Sequence, residues 1–181
     1  LITFHPVTLE NKSSSKHMSE ILDALNELKK TKLIFTLPNS DTDGRVIIEM
    51  INDYVLSNKN SVVYPSLGKL RYLSCIKYVD GVVGNSSSGL GEPPSFCKGT
   101  INIGDRQEGR LKASSVIDCE PTQRSIGDAL KKLYSVEFQN SLKNVINPYG
   151  NGGASNSIVR ILEDISFNDI LKKKFYDLEI K

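Results

Sequence analysis

Short apolar runs alternate along this chain with stretches whose apolar residues recur every three or four positions. Ile2 to Phe4 reads as a brief strand, followed by the polar loop HPVTLENKSSSK. Met18 to Lys30 carries Ile21, Leu22, Leu25 and Leu28 at helical spacing. Leu33 to Leu37 is a continuous apolar strand closed by Pro38, and Gly44 to Ser57 is helical, with Val46, Ile47, Met50, Ile51 and Val55 on one side. Val62 to Tyr64 predicts a strand, Leu67 to Val79 a helix, and Gly81 to Val83 a strand that runs into GNSSSGLGEPPS. The helix after the serines is predicted to take in Pro93 to Phe96.

The rhythm continues to the end of the chain. Thr100 to Ile103 and Val116 to Ile117 read as strands. Thr122 to Leu133 reads as a helix opened by the capping pair Thr122 and Ser125. Residues 136–146 look helical, NPYGNGGASNS is a glycine-rich break, and Ala154 to Ile165 and Phe167 to Leu178 close the chain as helices. Repeated β-α alternation with near-continuous apolar strands predicts an α/β fold, a parallel sheet covered by helices on both faces. In such folds function sits in the loops at the carboxyl ends of the strands. Four loops there carry chemistry: HPVTLE, PNSDTDG, GNSSSGLGE and GDRQEGR.

Composition narrows the classes. The chain has 181 residues, 39% hydrophobic and 24% charged, which suits one domain with a substantial core. Its net charge of +2, from 23 basic and 21 acidic residues, leaves no broad basic footprint for nucleic acid. No apolar run approaches the roughly 18–20 residues that a membrane helix needs. Cys75, Cys97 and Cys119 are spaced too widely for a metal knuckle and read as small buried thiols of a cytoplasmic protein. The opening LITFHPVT, with no Met and no targeting segment, reads as the start of a piece of something longer.

The serine loop is the strongest chemical signal. Backbone N–H groups at a helix N-terminus favour an anion, glycines let the backbone approach it, and serine hydroxyls add compact donors. Ser86, Ser87 and Ser88 therefore read either as a diphosphate cradle or as a serine-rich helix cap without a ligand. Glu92 follows four residues after Ser88, where a carboxylate either accepts hydrogen bonds from a ribose diol or complements the helix dipole. Arg106 and Arg110 sit in a glycine-bracketed loop, and guanidinium forks match phosphate oxygens bidentately. His5, held extended by the following Pro6, is a candidate acid, base or phosphate donor. Asn39, Asp41 and Asp43 supply oxygens in a turn, but their spacing is not that of a calcium loop, and no metal is expected. A nicotinamide dehydrogenase is disfavoured, because no GxGxxG follows the first strand and no acidic residue closes the second.

The ordered series HPVT, PNSDTDGR, GNSSSGLGE, GTINIGDRQEGR and NPYGNGGAS resembles the hydrolysing UDP-N-acetylglucosamine 2-epimerases of sialic-acid and nonulosonic-acid synthesis. The likeness runs from about residue 2 to residue 160, and the order and spacing of five motifs make it specific. It implies the two-domain architecture of glycosyltransferase-B-type folds, two Rossmann-like domains facing across a cleft. This chain is similar to the C-terminal one. Residues 1–181 would form a single UDP-binding domain, with the N-terminal partner domain absent and helices over 154–181 crossing towards it.

By the same resemblance Ser86 and Ser87, with Ser88 beside them, hold the diphosphate, and Glu92 holds the ribose. Arg106, and Arg110 near it, meet the phosphates. Leu70 and Tyr72 pack the uracil, while Asn39 and Asp41 line the cleft. His5 and Arg106 take the catalytic roles that this half supplies. Tyr149 and Gly150 fall in a turn that shapes the last helix. One departure is Pro93-Pro94, where the family shows Ala before Pro.

The implied reaction is elimination of UDP followed by hydration with inversion at C2, giving N-acetylmannosamine, without a cofactor. The only partner implied beyond the UDP-sugar is a second copy of the whole enzyme, as a homodimer. Two other readings remain at this point: half of a UDP-sugar glycosyltransferase, and a nucleotide-sugar sensor without chemistry. The sugar itself, N-acetylglucosamine or a di-N-acetylated 6-deoxy sugar, is not encoded in these motifs.

Overall fold

The structure, a computed structural model, describes residues 1–7, 13–39, 43–168 and 171–172. Asp41 and most of the expected last helix, Phe167 to Leu178, lie outside the described residues. Six strands form one sheet: β1 (Ile2–Thr3), β2 (Leu33–Thr36), β3 (Ser61–Tyr64), β4 (Gly81–Gly84), β5 (Gly99–Ile103) and β6 (Val116–Cys119). Their spatial order is β3-β2-β1-β4-β5-β6, and every pairing is parallel. This is the doubly wound order, in which the winding reverses between β1 and β4. The expected parallel α/β architecture is therefore present.

Alternation along the strands divides the core. Ile2, Leu33, Phe35 and Val83 point into a large cluster with the inner faces of α1 (Ser14–Leu25), α2 (Gly44–Ser57) and α5 (Gln123–Leu133). Leu1, Ile34 and Val82, one position out of phase, point into a smaller cluster with Ile76, Leu73 and Tyr72 of α3 (Gly68–Tyr78). Helix α5 starts as the capping pattern predicts: Ser125 N–H donates to the Thr122 hydroxyl at 3.3 Å, and the Ser125 hydroxyl accepts from Glu120 N–H at 3.1 Å. Such a cap contributes about 1 kcal/mol. Parallel strands β5 and β6 are joined by residues 104–115 with no intervening helix.

Three expectations need correction. The helix after the serines is only α4 (Ser88–Gly91), and Pro93–Phe96 forms a separate 3-10 turn. Pro93 and Pro94 lack the N–H groups that would extend the α-helical ladder. The segment 136–146 likewise splits into α6 (Val136–Ser141) and a 3-10 turn over Leu142–Asn144. The thiols are not uniformly buried, because Cys97 is exposed where the chain turns left-handed at φ 53°, while Cys75 and Cys119 are half-buried.

The chain divides into two units, Leu1–Tyr149 and Gly150–Lys181. The first contains the sheet. In the second, α7 (Ala154–Asp164) buries none of its residues, although Ile158, Ile161 and Leu162 share one side of it. Among the described residues no helix is long and apolar enough to cross a membrane.

Candidate functional site

At the reversal point the backbones of β1 and β4 meet closely. Gly84 sits at φ +140°, and a Cβ there would fall 1.8 Å from the Thr3 carbonyl oxygen. Only glycine combines that conformation with that approach. The serine loop leaves the sheet from this contact. Ser86 and Ser88 hydroxyls lie 3.2 Å apart, and Tyr72 on α3 reaches the Ser88 hydroxyl at 2.5 Å. Among the described residues the backbone N–H groups of Ser86 and Ser87 meet no acceptor in the protein. Helix α4 is too short to bring much dipole, so anion-binding capacity here rests on local N–H and hydroxyl donors.

A pocket of about 490 Å³ opens beside this loop, at the carboxyl ends of β1, β2 and β3. That volume is ordinary for a small-ligand site, roughly 300–1,000 Å³. Thr3 and Thr36, hydroxyl to hydroxyl at 2.5 Å, form part of its wall. Ser66, Lys69, Tyr72, Ser88 and Glu92 bring polar groups to it. Glu92 lies at the junction of α4 and the 3-10 turn, and its Oε2 is buried without a hydrogen-bond partner. Desolvation raises its carboxyl above the ordinary range, opposed by a backbone hydrogen bond. Tyr72 is raised chiefly by burial, with the Glu92 charge adding to it and the Ser88 bond opposing, so the phenol keeps its proton. A buried carboxylate oxygen without a donor is costly. A vicinal diol would supply two O–H donors to it.

His5 and Asn39 stand at the ends of β1 and β2. The imidazole Nδ1 accepts from Asn39 N–H at 3.2 Å and lies 3.1 Å from Asn39 Oδ1. A neutral ring is served by the first contact and an imidazolium by the second, so either protonation state finds a partner. His5 N–H donates to Asn85 Oδ1 at 2.8 Å. Arg106 donates to the Asn85 carbonyl at 3.1 Å, which places its guanidinium beside the serine loop.

The structure thus gathers His5, Asn39, Tyr72, Ser86, Ser87, Ser88, Glu92 and Arg106 around the β1–β4 junction. Two expected residues lie apart. Leu70 is 81% exposed, and the pocket is lined instead by Leu67 and Leu73, because α3 turns half-buried Tyr72 and Leu73 towards it, with exposed Lys69 also in its lining. Arg110 lines a different cleft, of about 680 Å³, with Lys112, Asp118, Cys119 and Glu120. There Lys112 pairs with Asp118 at 2.8 Å, and Asn102 donates to the same carboxylate at 2.7 Å. The Cys119 thiol is pushed up to about 12, first by burial and then by Asp118 and Glu120, so it stays protonated.

Sequence reasoning missed three supporting residues. Asn85, fully buried, bridges His5 and the loop carrying Arg106. Gln107, 1% exposed, donates to the Asn85 carbonyl at 2.7 Å. Asn147 donates to Gly91 O and to the Ser95 hydroxyl, both at 2.7 Å, and so braces the segment that carries Glu92 from both ends. Next to it, the Tyr149 hydroxyl donates to Leu111 O at 2.9 Å.

Residues 1–163 match the Epimerase_2 family, described as UDP-N-acetylglucosamine 2-epimerase. This chain belongs to that family. It is 42% identical over 180 residues to the GDP/UDP-N,N'-diacetylbacillosamine 2-epimerase (hydrolyzing) of Campylobacter jejuni, covering 98% of this chain and 46% of that protein. It is 36% identical over 180 residues to the polysialic acid biosynthesis protein P7 of Escherichia coli, with the same coverage. The chain therefore spans about half the length of the curated relatives it matches. Among solved structures, the Staphylococcus aureus MnaA–UDP co-structure has a TM-score of 0.73 at 20% identity, over 98% of this chain and 47% of that one. The Methanocaldococcus jannaschii UDP-GlcNAc 2-epimerase in complex with UDP-GlcNAc and UDP has a TM-score of 0.69 at 20% identity, over 90% and 44%. These likenesses show the fold, a parallel sheet with helices of glycosyltransferase-B type, matched to about half of each of those chains.

Proposed function

We propose that this chain is the UDP-binding half of a hydrolysing 2-epimerase acting on UDP-N-acetylglucosamine. The observation that carries the proposal is the buried, unpartnered oxygen of Glu92, a residue that lines a pocket with Tyr72 and Ser88, close in the chain to loop N–H groups that meet no acceptor among the described residues. Uridine would occupy that pocket, with its ribose diol on Glu92 and its base between Pro65, Leu67 and Leu73. The diphosphate would lie over Ser86, Ser87 and Ser88, with Arg106 beside it.

In the reaction a base removes the C2 proton while the C1–O bond to UDP breaks, leaving a 2-acetamidoglucal. Water then adds across the double bond, hydroxyl to C1 and proton to the opposite face of C2, giving N-acetylmannosamine. Negative charge develops on the departing diphosphate, where the serine hydroxyls, the loop N–H groups and Arg106 would stabilise it. His5 would donate a hydrogen bond or a proton to the same oxygens. The base at C2 would come from the half of the enzyme beyond this chain. That half would also cover the apolar side of α7, and two copies of the complete protein would form the homodimer. No metal or cofactor has a role in this scheme.

The 42% identity to a diacetylbacillosamine epimerase favours a second reading, in which the sugar is a di-N-acetylated 6-deoxy sugar on the same diphosphate. Proton NMR of the complete protein with each UDP-sugar separates them. Release of UDP together with a free 2-epimer from UDP-N-acetylglucosamine is the expected result. Turnover of the diacetylated sugar alone would select the second reading, and a glycoside product would overturn both.

A further inference from the structure

We infer that Asn85 is a positioning residue, whose side-chain amide holds His5 in place over the serine loop. The inference rests on the proposed UDP-binding reading and assigns a role to a residue outside the diphosphate contacts themselves. Asn85 is 0% exposed, and its side chain pairs with one residue twice: His5 N–H donates to Oδ1 at 2.8 Å, and Nδ2 donates to His5 O at 2.8 Å.

This pairing has a stereochemical basis. In an extended residue the N–H and C=O point to the same side, so one carboxamide matches both. His5 precedes Pro6, which disfavours the helical region and keeps His5 extended. The clamp thus reads the backbone of His5 in the conformation that Pro6 already prefers, and leaves the imidazole to meet Asn39.

The main chain of Asn85 completes the arrangement. Its N–H donates to Thr3 O at 3.3 Å, and its carbonyl accepts from Arg106 at 3.1 Å and from Gln107 at 2.7 Å. One buried residue therefore joins the end of β1, the serine loop and the β5–β6 loop at the reversal point of the sheet. Substituting the side chain leaves the carbonyl in place, so a variant at Asn85 acts on His5 and spares the bond to Arg106. A hydroxyl or methyl side chain cannot make both bonds.

The test uses this chain and calorimetric titration with UDP and, separately, with uridine. Asn85→Ser is expected to weaken UDP about tenfold or more while uridine changes by less than about twofold, because the clamp serves the diphosphate side. In a His5→Ala background the same change is expected to cost less than about twofold, since the imidazole it positions is gone. An equal cost in both backgrounds, or an equal loss for uridine, would overturn the inference.

Hydrogen exchange of the unsubstituted chain decides the matter if Asn85→Ser does not fold. The His5 amide lies beyond the strand, yet is expected to be protected as strongly as strand amides. Exchange at the rate of an open loop would remove the clamp. If the unsubstituted chain shows the protected amide but no UDP binding, the nucleotide reading fails and the clamp stands as a structural feature.

Discussion

The two clefts on the carboxyl edge of the sheet spend their polar groups differently. The larger, about 680 Å³, has more charge, and within it Lys112 pairs with Asp118, which also accepts from Asn102, while none of its side-chain polar atoms is both buried and unpartnered among the described residues. Its thiol, Cys119, is held protonated. The smaller, about 490 Å³, holds a buried carboxylate oxygen without a donor and stands next to backbone donors without acceptors. Volume and charge count point to the first, while unsatisfied hydrogen-bonding capacity points to the second. A site built for a polar ligand leaves its partners' places open, and the free protein carries the cost.

The smaller cleft rests on the close contact of β1 with β4 at Gly84. Gly84→Ala drives a Cβ into the Thr3 carbonyl in a conformation that L-residues avoid. It is expected to destabilise the chain by about 3 kcal/mol or more in chemical denaturation. A loss under about 1 kcal/mol would mean that the β1–β4 contact relaxes freely.

Glu92→Gln comes next. It replaces one carboxylate oxygen and the charge with an amide donor, so a diol keeps a single neutral acceptor, and UDP binding is expected to weaken about 10- to 100-fold by calorimetry. It also acts on the free protein. The folded-state pKa of Glu92 is raised by desolvation, so the ionised carboxylate opposes folding above that pKa, and the cost vanishes below the ordinary carboxylate range. The glutamine variant without ligand should therefore melt higher than the unsubstituted chain at neutral pH, with the difference closing as the medium becomes acidic. A variant that melts lower at neutral pH would show that the carboxylate is satisfied after all.

A smaller effect separates the two arginines. Arg106→Ala, beside the serine loop, is expected to weaken UDP about tenfold. Arg110→Ala, in the larger cleft, is expected to change it by less than about twofold. Equal losses would merge the two clefts into one site.

The chemistry of the smaller cleft was legible in the sequence where residue type alone carries it. Serines between glycines announce donors around an approachable backbone, and Glu92 stands out after them. The parallel fold was legible because its strands are continuous apolar runs. Asn85 was not, since one asparagine among loop residues looks like turn chemistry until Gly84 brings β1 and β4 together. The split of α4 from the 3-10 turn follows from Pro93-Pro94, whose missing donors break a helix that apolar spacing alone extends. Leu70 and Leu73 are the same residue type one turn apart, and only the packing of α3 shows which faces the pocket. Arg110 shares a loop with Arg106, but the loop turns between them, and sequence proximity cannot register that.

The most direct test of the central claim is a backbone amide NMR titration of the chain with UDP. The account predicts that the largest shift changes fall on Ser66 to Tyr72 and on Asn85 to Glu92, with His5 and Arg106 following. Changes concentrated on Gly104, Glu108 to Lys112 and Asp118 to Ser125, with Ser86 to Glu92 silent, would place the nucleotide in the larger cleft and contradict it.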